Sequence, residues 1–146
     1  DYWKALRDNG LKVVKGWTEA YTVEFSGSSG KGKRPLVLSY ASSPAFEPAT
    51  ESLNQTCFRQ IEYAGVVAGS ANQVGAGKFI DFLLSAQVQA EIPDQMYMYP
   101  VDSSVKLPKE WAAHAVLPEH PFTLPPAQIS AGRDAWIKAW TAAVIG

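Results

Sequence analysis

Two hydrophobic rhythms alternate along this chain. Residues 11–14, 36–40 and 58–68 are short apolar or alternating runs, and each predicts a β-strand. The run at 36–40 is nearly continuous, as a strand of a buried parallel sheet requires. In 58–68, Phe58, Gln60 and Glu62 fall on one face and Arg59, Ile61 and Tyr63 on the other. Elsewhere the period lengthens to that of a helix. Residues 1–9 read as the end of a helix that Asn9-Gly10 stops. Residues 17–25 read as a helix after a turn at Gly16, with Trp17, Tyr21 and the 23–25 segment apolar. Ser43-Pro44 marks a further helix start, with Pro at its first position. Residues 47–56 are a polar loop. Ser70 and Gln73 have capping-box spacing. They open a helix with the stripe Phe79, Ile80, Leu83, Leu84 and Val88, which Pro93 ends. Residues 96–101 are extended and 108–113 form a brief helix. Pro125 and Pro126 start the last helix, whose stripe is Ile129, Trp136, Ile137, Trp140 and Val144. Short apolar strands alternating with helices predict an α/β fold.

Composition narrows the function classes. The chain has 146 residues, 47% of them hydrophobic, enough for a core. Charge is balanced, 13 basic residues against 14 acidic, which leaves no electrostatic footprint for nucleic acid. No polybasic run offers a hold on an anionic membrane. No apolar stretch reaches the roughly 18 residues of a membrane span. The first residues, Asp1-Tyr2-Trp3-Lys4, begin as if inside a helix, and the chain reads as a fragment. A single cysteine, Cys57, excludes an internal disulfide and a Cys-based zinc site.

No catalytic constellation stands out. His114 and His120 lack the spacing of helical metal ligands and read as surface histidines. The serines carry no Gly-x-Ser-x-Gly motif. Glu19 and Glu62 are the available acid and base, but nothing in the sequence brings them together. The glycines of 26–33 precede a strand and lack the Gly-Lys-Ser/Thr ending of a P-loop, so this stretch reads as a solvated loop. Asn54-Gln55-Thr56 is formally a glycosylation sequon and reads as chance. Aromatic residues are more telling. Trp17 opens a helix after Gly16, and Tyr40 ends a buried strand; strand ends facing helix starts are where α/β proteins bind ligands. Tyr97 and Tyr99 alternate with Met96 and Met98. Trp3, Trp136 and Trp140 lie on helical stripes and read as core. The helix starts after Gly16 and Ser42 each offer N–H groups to an anion.

Several motifs, in order, resemble the thiamine-binding substrate-binding proteins of bacterial ABC importers, and most closely their actinobacterial group. They are Gly16-Trp17-Thr18-Glu19-Ala20-Tyr21, Leu38-Ser39-Tyr40-Ala41-Ser42-Ser43-Pro44, Thr56-Cys57-Phe58-Arg59-Gln60 and Phe79-Ile80-Asp81-Phe82-Leu83-Leu84-Ser85. The likeness continues through Ile92-Pro93, Met98-Tyr99-Pro100-Val101 and Trp136-Ile137. The resemblance implies a periplasmic-binding-protein fold of type II, with two lobes that close on a ligand. This chain would be its C-terminal half. Residues 1–95 would form the α/β lobe with most of the cleft residues, and 96–146 the crossover and the helices returning to the first lobe. It implies thiamine, a thiamine phosphate or a similar organic cation as ligand, with no cofactor, metal or catalysis. An ABC permease and the N-terminal half of the same protein would be its partners. The location would be extracellular or periplasmic, with a lipid anchor on the missing N-terminus. Trp17, Tyr40, Phe46 and Tyr97 fall on ligand-contacting positions, and Ser42 is expected to bind the ligand with them, its helix start and Tyr40 bonding a hydroxyl or phosphate tail. Better-known members carry Tyr where this chain has Phe46 and Trp where it has Tyr97; both remain aromatic. In an exported protein an odd thiol usually has a partner, so Cys57 is expected to pair with a cysteine outside this chain. A ferric-ion binder of the same fold is the alternative within the class, and it lacks support from any Tyr-Tyr pair. An enzyme or sensor domain on that scaffold is the alternative outside it.

Overall fold

The computed structural model describes residues 2–29 and 31–146, with Ser29 described by its backbone alone. The helices are α1 (Tyr2–Asp8), α2 (Trp17–Glu19), α3 (Ser26–Ser29), α4 (Gln73–Leu83), α5 (Ala86–Met96), α6 (Lys109–His114) and α7 (Pro126–Val144). A π-helical turn, Ala20–Glu24, continues α2, and 3₁₀ turns occupy Ser43–Ala45 and Asn54–Thr56. The chain forms two compact units. One comprises Asp1–Ser39 with Phe122–Gly146, the other Tyr40–Pro121. These units do not coincide with the 1–95 and 96–146 segments, which concern a complete two-lobed protein.

In the first unit α1 ends as expected. Gly10 takes a φ of 83°, the left-handed value that glycine adopts without steric cost. Leu11 N–H then reaches back to the Leu6 carbonyl at 2.9 Å. The helix is tied to α7 by Arg7, which donates to the Ala143 carbonyl at 2.8 Å. Trp3 and Trp140 meet edge to face at 5.9 Å. Of the expected α7 stripe, Val144 is buried, but Trp136 and Ile137 are 45% and 50% exposed. They are therefore not core within this chain.

In the second unit the core is Trp111, Ala115 and Ala45, with Tyr99 and Leu107 packed against it. It forms where α6 meets the 3₁₀ turn Ser43–Ala45, whose Pro44 stands in the first turn as its fixed φ favours. Trp111 is 1% exposed. Here two expectations are corrected. The helix expected to end at Pro93 is two helices, α4 and α5, broken at Leu84–Ser85. Ser85 caps α5 by accepting from Val88 N–H at 3.4 Å. Pro93 lies inside α5 and is fully buried, so packing compensates for the missing N–H. The cap of α4 is Asn72, not Ser70: its Oδ1 accepts from Gly75 N–H at 2.9 Å. The stripe expected to be core is only partly so, with Phe79 and Leu84 exposed.

The predicted strands at 11–14, 36–40 and 58–68 do not form. Among the described residues an isolated parallel bridge joins Phe25 and Arg34, and Phe58 and Phe122 are also single bridge residues, with no extended strand. A strand exists through its ladder, because each backbone N–H and C=O must find a partner. Among the described residues these runs build no ladder beyond the single bridge residue Phe58, and most of their side chains lie exposed, Leu38 at 88% and Tyr63 at 86%. The α/β expectation is thus not realised within the chain's own contacts. The glycine-rich stretch is more structured than a solvated loop. It begins with α3, and Gly32 packs so tightly on the Glu24 and Phe25 carbonyls that a Cβ there would overlap them.

Candidate functional site

The aromatic candidates fall in both units, and each group is built differently. In the first unit, Trp17, Tyr21 and Phe25 recur four residues apart and form a column. The Trp17 and Tyr21 rings stack at 4.7 Å with 14° between planes, and Tyr21 meets Phe25 at 5.5 Å. The π turn matters here: Phe25 N–H bonds the Ala20 carbonyl, five residues back, at 3.0 Å. Tyr21 and Phe25 are buried, while Trp17 is 44% exposed. The indole Nε1 of Trp17 donates to Ser39 Oγ at 2.9 Å. A half-exposed ring stacked on a second ring and fixed at its edge is a stacking platform.

Charge holds the base of this column. Lys12 Nζ donates to Glu24 Oε1 at 2.6 Å, and Arg34 Nε lies 3.7 Å from Glu24 Oε2. Arg34 also donates to the Gly10 carbonyl at 2.7 Å. The Lys12 hydrogen bond above all, with the charges of Lys12 and Arg34, holds the Glu24 carboxyl below its usual pKa against some desolvation.

In the second unit, Phe46, Tyr97 and Ser42 come together. The Phe46 and Tyr97 rings meet edge to face at 4.9 Å. Below them Phe46 packs on Trp111 at 5.8 Å, and Tyr99 packs on Trp111 at 5.3 Å. Tyr97 and Phe46 remain 58% and 44% exposed. Tyr97 caps α5 at φ 58° and ψ 29°, the left-handed conformation. Ser42, itself buried, donates its hydroxyl to the Tyr97 carbonyl at 2.8 Å. Tyr40 stands at the head of the same turn, its carbonyl accepting from Ser43 N–H at 3.0 Å and its side chain exposed.

The anion cradle expected after Ser42 is absent. Ser43 N–H is bonded to Tyr40, Pro44 has none, and Ala45 N–H donates to the Ser42 carbonyl at 3.1 Å. Cys57 is a free, half-buried thiol. Its neighbour Tyr99 donates to the Ala115 carbonyl at 3.2 Å. Burial, and then the charge a Cys57 thiolate would carry, pushes the Tyr99 pKa up to about 12.

Sequence reasoning missed Trp111 and Gln89. Trp111 sits in a helix too short to show a stripe. Buried Gln89 donates to the Leu83 carbonyl and accepts from Val101 N–H, both at 2.8 Å. No pattern of apolar residues announces such a polar stitch. A shallow pocket of about 380 Å³ between the 48–54 loop and α6 is lined by Thr50, Glu51, Asn54 and His114 among others. None of the aromatic candidates lines it, and no Phe, Tyr or Trp does. Among the described residues no three His, Cys, Asp or Glu side chains are grouped to hold a metal ion. No helix among them is long and apolar enough to cross a membrane.

The chain is similar over nearly its whole length to curated proteins. It is 35% identical to a thiamine-binding periplasmic protein of Escherichia coli K12, over 97% of this chain and 44% of that protein. It is 33% identical to a thiamine-binding periplasmic protein of Brucella melitensis, over 97% of this chain and 43% of that one. A thiamine-binding periplasmic protein of Haemophilus influenzae matches 68% of the chain at 34% identity. The chain thus spans less than half the length of the curated relatives it matches. No protein-family model matches it, and no solved structure does.

Proposed function

The chain belongs to the family of these thiamine-binding periplasmic proteins, and from that premise we propose that it is the C-terminal part of a substrate-binding protein that captures thiamine and delivers it to an ABC permease. One observation carries this reading: the similarity extends over 97% of the chain, to proteins named as binding proteins and not as enzymes. The site chemistry supports it. Thiamine joins a flat aminopyrimidine to a cationic thiazolium. A cation over an aromatic face gains about 0.5–2 kcal/mol, more when desolvated. Trp17 offers one supported ring, and Phe46 with Tyr97 offers an aromatic pair.

Several further features belong to this proposal. The exposed runs at 36–40 and 58–68 become strands of a two-lobed α/β protein once the rest of the molecule supplies their ladders. Residues 1–95 form the α/β lobe with most of the cleft residues there, and 96–146 the crossover and the helices returning to the first lobe. The protein works outside the cytoplasmic membrane, lipid-anchored through a segment beyond this chain. The phosphate of a thiamine ester would be held elsewhere than at the turn after Ser42, whose N–H groups are engaged. Calorimetry of the full-length protein tests the reading. Thiamine or one of its phosphates should give saturable heat and ferric ion none; the opposite pattern would return the chain to the ion binders.

A further inference from the structure

We propose that Ser42 controls thiamine affinity without touching the ligand, as the positioning residue that locks Tyr97; this rests on the proposed thiamine site. Three observations lead there. Tyr97 is the one non-glycine residue among the described ones at positive φ. A bulky side chain seldom adopts that conformation, which persists only where the surroundings over-determine it. Two bonds do so here. Tyr97 N–H is held by the Pro93 carbonyl at 3.1 Å, and the Tyr97 carbonyl is held by Ser42 Oγ at 2.8 Å. Both anchors, Pro93 and Ser42, are buried.

The third observation is where the hydroxyl points. Ser42 is 4% exposed, and its proton is committed to the Tyr97 carbonyl. It has no surface to offer a solute. The ring that does face outward is that of Tyr97, 58% exposed and seated against Phe46. Releasing the carbonyl would let the end of α5 relax to the conformations favoured for a non-glycine residue. The ring would then swing away from Phe46, and the aromatic pair would no longer be preorganised for a flat cation.

A double-mutant cycle on the full-length protein, read by thiamine titration, tests this. Ser42→Ala should weaken binding by about threefold to tenfold, the range expected when one buried hydrogen bond is lost. Ser42→Thr keeps the donor and should bind within about twofold of wild type, well inside one hydrogen bond's worth. In a Tyr97→Ala background, Ser42→Ala should cost nothing more, because the group it positions is gone. Losses that add in the double variant would mean that Ser42 contacts the ligand directly, and would overturn the proposal. So would an unchanged affinity for Ser42→Ala while Tyr97→Ala is impaired. Tyr97→Ala binding as wild type would instead remove Tyr97 from the site, and so sink the reading on which the proposal rests. Should Ser42→Ala fail to fold, Ser42→Cys takes its place, filling the same volume with a weaker donor.

Discussion

Trp17 and Trp111 show how two residues of the same type acquire opposite duties. Trp17 is stacked on Tyr21 and 44% exposed; Trp111 is enclosed, with the Phe46 and Tyr99 rings perpendicular to it. Trp17→Ala in the full-length protein should therefore weaken thiamine binding by more than about tenfold, a loss of about 1.4 kcal/mol or more. Its melting temperature should fall less than that of Trp111→Ala, which empties a core position worth about 3–5 kcal/mol. The reverse ranking, by titration and thermal melting, would mean that platform and core have been interchanged. Tyr99 gives a residue-scale prediction at high pH. Its raised pKa means that the folded state disfavours the phenolate. The associated stability is complete below the ordinary value of 10.0 and is lost as pH rises toward about 12. Alkaline unfolding of the wild type should be steeper across that interval than that of Tyr99→Phe; coincident curves would contradict a desolvated, partly buried phenol.

At the scale of elements, polar stitches do much of the positioning. The Lys12–Glu24–Arg34 cluster closes the loop that carries the Trp17 column. Because the Glu24 pKa is lowered, its contribution is present above the ordinary carboxylate value of 4.5 and disappears as pH falls through the lowered value. The stability gap between wild type and Glu24→Gln should close as the solution is acidified; a gap that widens would reverse the assignment. Gln89 joins the end of α4 to the 97–101 segment. Gln89→Leu should cost about 1–3 kcal/mol, since it leaves the Leu83 carbonyl and Val101 N–H unpaired. Denaturant unfolding would measure it. Helix ends were legible where a residue's own chemistry decides them: Gly10 stopping α1, Pro44 and the Pro125-Pro126 pair opening turns or helices. Pro93 does not end a helix, because packing overrides its usual role. Strands were illegible for a different reason. The apolar pattern of 36–40 and 58–68 records a need for neighbours, and those neighbours are not within the chain. The grouping of Phe46 with Tyr97 followed from the resemblance. Trp111 and Gln89, which support that region, carry no periodic signature.

On the scale of the whole molecule, the chain offers aromatic platforms in each of its two compact units and spans less than half of its relatives' length. Ligand sites of this kind bury most of their solute between walls. The chain by itself should accordingly bind thiamine far more weakly than the full-length protein, and equal affinities in parallel titrations would refute that. Cys57 belongs to the same scale. We propose that it pairs with a cysteine elsewhere in the complete protein, as odd thiols in exported proteins commonly do. Complete alkylation of Cys57 after unfolding without reductant, read by mass spectrometry, would exclude the bond. The central claim is that these aromatic residues hold thiamine. It is tested most directly by titrating thiamine into the full-length wild type and into a variant with Trp17, Phe46 and Tyr97 all changed to Ala, both confirmed to be folded. The account predicts saturation of the wild type at one thiamine per protein and no saturable binding by the variant. Equal binding by the two proteins, or none by either, would contradict it.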